Sequence, residues 1–180
     1  MLSERMIERL NQQINLEYFS ANLYLQMSAW CDFRGYAGCA AFLRAHSAEE
    51  LQHMHRLFTY VTETGGLPLV GAIARPDAEY RDLADVFKRT YEHEVAITRD
   101  INDLVKYALS EPDFSTFNFL QWYVSEQHEE EALFKSILDK IEMIGLDGKG
   151  VYFLDKEIAK LVVGPGARQG AAAATGDGSG

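Results

Sequence analysis

Cysteine is scarce. The 180-residue chain has two, Cys31 and Cys39, without the spacing of a zinc or iron–sulfur site and without the density of a secreted disulfide scaffold. Reduced thiols near a turn are the expectation. Basic residues are the minority as well, with 17 Lys plus Arg against 27 Asp plus Glu and a formal net charge of -10. That balance disfavours nucleic acid and anionic membrane as partners and suits cations. Long apolar runs are also missing, so no stretch is long enough to span a membrane. The N-terminal MLSERMIERL reads as amphipathic helix without the apolar core of a signal peptide, which makes the cytoplasm the expected location. What is present is ample apolar material: 47% hydrophobic and 12% aromatic residues are enough for one soluble domain with a sizeable core.

The four prolines fall in connections and tail, and between them run long helical patterns. The first starts after Ser3, a plausible N-cap, and continues to about Asp32, where DFRGYAG marks a turn. A second runs from about Tyr36 to Thr64 and stops at Gly65-Gly66-Leu67-Pro68. A third occupies about Arg81 to Leu109. A fourth follows the turn Ser110-Glu111-Pro112-Asp113 and ends near Gly145, and GLDGKG separates it from a short fifth run, VYFLDKEIAKLVV. Connections that are short, long and short predict two antiparallel hairpins joined by a crossover along the bundle. The domain is expected over residues 1–163, followed by a disordered, low-complexity tail, 164–180.

Four glutamates interrupt the apolar faces of these helices, one per helix. Residues three, four, seven or eleven apart share a helix face. Glu17 therefore lies with Met6, Leu10, Ala21 and Tyr24, and Glu50 with Leu43, Met54, Leu57 and Val61. Glu94 lies with Phe87, Tyr91, Ile101 and Val105, and Glu130 with Tyr123, Phe134, Ile137 and Ile141. A single glutamate on such a face is ordinarily an edge residue whose head reaches water. Four of them in one bundle predict convergence. A buried carboxylate needs a proton, a counter-charge or a metal, and no lysine or arginine shares these positions. A multivalent cation is the economical partner.

Two one-turn pairs sharpen this. Glu50-x-x-His53 sets a carboxylate and an imidazole on the core side of the second helix, and Gln127-x-x-Glu130 does the same with an amide on the fourth. Glu from two helices and Glu-x-x-His from two others is the ligand pattern of ferritin-like di-iron bundles. Gln127 departs from it, which predicts one position that is held less strongly or exchanges more easily. Tyr24, two turns after Glu17, is placed to hydrogen-bond a ligand or to supply an electron, or simply to pack in the core.

With these residues in view, the chain resembles the bacterial non-haem ferritins. The likeness is carried by NLEYFSANLYLQMSAW, AAFLRAHSAEELQHMHRLF and TFNFLQWYVSEQHEEEALFKSI, and it extends over residues 1 to about 163. It implies an all-α, ferritin-like four-helix bundle with one long crossover and a short fifth C-terminal helix that packs near a fourfold axis of a shell of twenty-four subunits. It implies ferroxidase activity, with Fe(II) and dioxygen or peroxide as substrates and ferric oxyhydroxide stored within. Carried over residue by residue, Glu17, Glu50 and His53 resemble ligands of a first iron, with Glu50 bridging. Glu94 and Glu130 resemble ligands of a second, beside Gln127. Glu49, Glu126, Glu129 and the shared Glu130 match a third, transit iron site.

Rival readings lack their residues. A bacterioferritin places a haem-binding methionine after the second-helix glutamate, where this chain has Leu51, so no haem is expected. A rubrerythrin-like reductase needs cysteines that are absent. DNA-coating mini-ferritins lack a fifth helix and often carry a basic tail, and a shell subunit without redox activity lacks these ligands. Among the remaining histidines, 46, 55, 93 and 128, none has a clear same-face partner completing another site. His46, one turn from Glu49 and Glu50, is assigned a supporting or core role rather than direct ligation.

Overall fold

The computed structural model of the chain describes residues 2–162, so the tail expected from residue 164 lies outside the described residues. Five helices account for the described fold: α1 (Glu4–Phe33), α2 (Ala37–Glu63), α3 (Leu83–Ser110), α4 (Phe114–Ile144) and α5 (Gly148–Ala159). The starts of all but α2 follow from side-chain caps, which satisfy donors that the first helical turn leaves open. Ser3 accepts from the Met6 amide, Asp82 from Asp85, Asp113 from Thr116, and Asp147 from Lys149 and Gly150. The Asp147 cap starts α5 at Gly148, ahead of the apolar run at Val151 that marks it in the sequence, and the helix closes at Ala159. Gly145, with φ of 77°, ends α4 in the left-handed region that glycine tolerates.

Helix α2 has no side-chain cap of its own. Asp155 of α5 fills the role from across the fold, accepting from Gly38 N at 3.1 Å and Cys39 N at 2.8 Å. Glycine at 38 is what permits this approach, since a Cβ there would sit 2.1 Å from the Asp155 carbonyl oxygen.

The helices pack as two hairpins, α1 against α2 and α3 against α4. Residues 64–82 cross between them, and a helix the length of α2, 27 residues, spans about 40 Å at 1.5 Å per residue. The crossover is pinned to α1 by two asparagines one turn apart. Asn11 donates to Leu67 O and accepts from Leu69 N, and Asn15 donates to Leu69 O and accepts from Gly71 N.

The core divides into two apolar clusters. One holds Tyr24, Met27, Phe42, Leu43, Phe87, Phe134 and Ile137, and the other holds Met6, Leu10, Ile14, Leu57, Ile97, Leu120 and Tyr123. Fully burying a large apolar side chain contributes about 1.5–3 kcal/mol, so each cluster is a substantial anchor. Helices α1 and α4 run from the second cluster to the first, and α2 and α3 run the other way. Parallel α2 and α3 are what the long crossover requires. Each helix carries one glutamate between its residues of the two clusters, so Glu17, Glu50, Glu94 and Glu130 come to one level.

Candidate metal centre

At that level none of Glu17, Glu50, Glu94 and Glu130 is more than 3% exposed, and Tyr24, His53 and Gln127 are buried beside them. Glu17 and Glu50 lie close enough to act on one another's protonation. Gln13 Nε2 donates to Glu17 Oε1 at 2.7 Å, and His53 Nδ1 stands 3.3 Å from Glu50 Oε2. Glu17, Glu50 and His53 each offer one ligand atom, all within 4.8 Å of one another. On the α3 side, the Tyr24 hydroxyl donates to Glu94 Oε1 and Gln127 Nε2 donates to Glu94 Oε2 at 3.0 Å. Tyr123 OH donates to the His53 carbonyl at 2.7 Å, and the Trp122 ring meets the imidazole edge-on at 5.2 Å. The residues expected at a first iron are thus held by hydrogen bonds and aromatic walls.

The electrostatics follow from crowding acids in a buried layer. Burial first, then the neighbouring Glu50, pushes the Glu17 carboxyl up to about 8. Burial, then Glu130, raises Glu94 to about 7, although the Tyr24 and Gln127 hydrogen bonds pull it back down. Glu50 lies well above the usual carboxylate range, because it is buried and faces Glu94 and Glu130. Such groups hold protons near neutrality and exchange them for a cation. Tyr24 is raised by burial and by Glu94, so it remains a hydrogen-bond donor. His93, lowered by burial to about 4, is a neutral ring. It sits 2.7 Å from Ser20 Oγ and packs edge-on against Tyr24 with centroids 5.9 Å apart.

The residues expected at a third iron are placed differently from one another. Glu129 is exposed, Glu126 Oε1 lies 3.8 Å from His53 Nε2, and Glu49 Oε2 lies 3.8 Å from His46 Nε2. The group drawn together there is His46, Glu49 and Glu130, again with ligand atoms within 4.8 Å. Two participants are absent from the sequence-based set. Gln13, one turn before Glu17, donates to that carboxylate, and His46, given a supporting or core role from the sequence, lies with Glu49 and Glu130 in a group that could hold a cation. The signal was present in their spacing, but an amide or imidazole on an apolar face reads equally as core.

A buried carboxylate–imidazole cluster assembled from four helices of a bundle defines the class of ferritin-like carboxylate metal proteins. The ferritin-like domain family matches residues 7–144. The "Probable bacterial non-heme ferritin-like protein" of Haemophilus influenzae is 57% identical over 161 residues, covering 89% of this chain and 98% of that one. The "Bacterial non-heme ferritin" of Escherichia coli O157:H7 is 55% identical with the same coverage, 89% and 98%. An open-pore ferritin of known structure from Archaeoglobus fulgidus superposes with a TM-score of 0.86 at 44% identity, covering 88% of this chain and 96% of that one. The chain belongs to the ferritin family, among the bacterial non-haem ferritins.

Proposed function

We propose that the chain is an iron-storage ferritin subunit of the cytoplasm. It oxidises Fe(II) with dioxygen at an intrasubunit di-iron centre and stores Fe(III) as a ferric oxyhydroxide mineral inside a shell of twenty-four copies. The observation that carries this is the buried group Glu17, Glu50 and His53 facing Glu94 and Glu130, with no lysine or arginine among these residues. Two Fe(II) ions held there, with Glu50 placed to serve both, would give one electron each to dioxygen, which takes up two protons and leaves as hydrogen peroxide. Carboxylate oxygens are hard donors that favour the Fe(III) product, while the His53 nitrogen helps the ferrous ion bind first. The protons held on Glu17, Glu50 and Glu94 leave as iron enters. Gln127, an amide bonded to Glu94, is a weaker donor than a histidine, which suits a position from which iron moves on.

Apolar side chains outside the bundle support assembly. Leu67, Leu69 and Val70 on the crossover and Tyr152 and Phe153 on α5 are all more than half exposed. That is surface a neighbouring copy would cover. No helix among the described residues is long and apolar enough to cross a membrane.

Glu50→Ala tests the reading, because it removes the ligand shared by both ions. The expected result is loss of rapid Fe(II) oxidation by ~100-fold or more, on the scale of deleting a group central to charge stabilisation, with assembly intact on gel filtration. Rapid oxidation at the wild-type rate would contradict it.

A further inference from the structure

Beyond the acidic layer, three aromatic rings form a continuous line from His53 toward the C-terminal end of α2. Tyr123 lies edge-on to the imidazole with centroids 6.4 Å apart, and its hydroxyl donates to the His53 carbonyl oxygen at 2.7 Å. Phe119, one turn earlier on α4, follows at 5.7 Å from Tyr123. Tyr60 then lies face to face with Phe119, the centroids 3.8 Å apart and the planes 10° from parallel. Aromatic pairs ordinarily settle roughly 4.5–7 Å apart, offset or edge-on, so this pair overlaps more closely than packing alone favours. Tyr60 is two turns beyond His53 on α2, about 10 Å along the helix.

The two phenols differ in where their protons can go. Tyr123 faces a backbone carbonyl, which accepts a hydrogen bond but does not take up the proton. Tyr60 OH lies 2.9 Å from Thr116 Oγ1, and the single hydroxyl proton of the buried Thr116 is given to Asp113 Oδ2 at 2.5 Å. Tyr60 is therefore the donor in its own contact, and the hydrogen bonds run from phenol through hydroxyl to carboxylate. Burial raises the Tyr60 phenol above its ordinary value, so the proton stays in place until the ring loses an electron. Tyr24 also faces a carboxylate, Glu94, but the proposed function commits that acid to iron.

We propose that Tyr60 is a one-electron donor to the di-iron centre, with Phe119 and Tyr123 carrying the electron to His53 and Thr116 carrying the proton to Asp113. The inference rests on the ferroxidase reading, which supplies hydrogen peroxide. When peroxide meets a single ferrous ion, that ion gives one electron and Tyr60 gives the other. With two protons taken up at the centre from its acids and from water, both oxygens leave as water. The ion becomes Fe(III), Tyr60 becomes a neutral tyrosyl radical, and Asp113 holds the phenol's proton. A second ferrous ion then reduces the radical, and the proton returns from Asp113. Without Tyr60 the peroxide receives one electron only and splits into hydroxide and a hydroxyl radical.

The test uses the assembled, full-length protein, mixed without oxygen with one Fe(II) per subunit and then with hydrogen peroxide, and frozen for electron paramagnetic resonance. Wild type is expected to show a tyrosyl radical and little spin-trapped hydroxyl radical. Tyr60→Phe keeps the stacked ring and is expected to lose most of the tyrosyl signal while releasing several-fold more hydroxyl radical. Thr116→Val leaves Tyr60 in place and is expected to lose the signal as well, which a packing role for Tyr60 does not predict. Thr116→Ser, which keeps the hydroxyl, is expected to restore it, and Tyr24→Phe to retain it. The proposal is overturned if Tyr60→Phe or Thr116→Val keeps the wild-type signal, or if Tyr24→Phe loses it instead. It is equally overturned if wild type forms no tyrosyl radical while oxidising Fe(II) rapidly with dioxygen, and in each of these cases the ferroxidase reading stands. Failure of wild type to oxidise Fe(II) rapidly in air would overturn both.

Discussion

At the scale of single residues, Glu94 shows how neutral donors tune a buried acid. Tyr24 and Gln127 each give it a hydrogen bond, and these oppose the rise that burial and Glu130 impose. Tyr24→Phe removes one donor without changing the ring's packing, so the Glu94 carboxyl should titrate higher than about 7 and release its proton less readily to incoming iron. The expected outcome is Fe(II) oxidation slowed several-fold at neutral pH, with the midpoint of the pH–rate profile moved to the alkaline side. An unmoved midpoint would show that the phenol acts only as packing or as an electron source. The glutamates themselves were legible in the sequence because a charged residue in an apolar stripe is conspicuous. Gln13 was not, because a neutral amide fits a core and only its distance to the Glu17 carboxylate shows the contact; His46 was read as a supporting or core residue, and the structure adds its approach to Glu49 and Glu130.

Among the helices, α2 and α5 are coupled by a cap that no local motif announces. The α2 N-terminus receives its acceptor from Asp155, 117 residues from Gly38. Asp155→Ala leaves those amides without their carboxylate and is expected to cost about 1–2 kcal/mol, the usual loss for a helix cap. Chemical denaturation of the variant against wild type measures it, and an unchanged midpoint would mean that water replaces the carboxylate without penalty. Helix extents were otherwise close to their sequence signals: Ser3 caps α1 as its position suggests, α3 starts two residues after Arg81 at the Asp82 cap, Asp113 ends the expected turn by capping α4, and Gly145 closes α4. The exception is α5, whose first turn comes from the Asp147 cap and not from apolar periodicity.

For the molecule as a whole, the acidic layer is a load that a bound cation relieves. Glu17 at about 8 and Glu94 at about 7 hold protons in the fold that the unfolded chain has already lost above its ordinary carboxylate range. Stability of the metal-free protein therefore falls as pH rises, by at most about 1.4 kcal/mol per pH unit for each group while it stays protonated. His93, lowered to about 4 from 6.5, acts oppositely, since below 6.5 the unfolded chain binds the proton that the fold refuses. Between about pH 6.5 and 8 the carboxylates act without that opposition. Thermal unfolding of metal-free protein should drop across this window, and saturation with Zn(II) should flatten the trend. A metal-free midpoint that is flat or rising there would mean that the acids are ionised in the empty fold.

Sequence alone determined the helices, their order, the crossover and the four acidic positions. These depend on periodicity, capping and turn chemistry within a few residues of one another, and on the free-energy cost of burying a lone carboxylate. The resemblance to bacterial non-haem ferritins was legible in three segments of the chain. Tertiary structure decided what those positions meet: the division of the core into two apolar clusters, the level at which four helices place their acids, the cap that α5 lends α2, and the turn of His46 toward Glu49 and Glu130. Each is a distance between atoms far apart along the chain, fixed by how the helices slide and rotate to bury their apolar faces, and no local pattern encodes that.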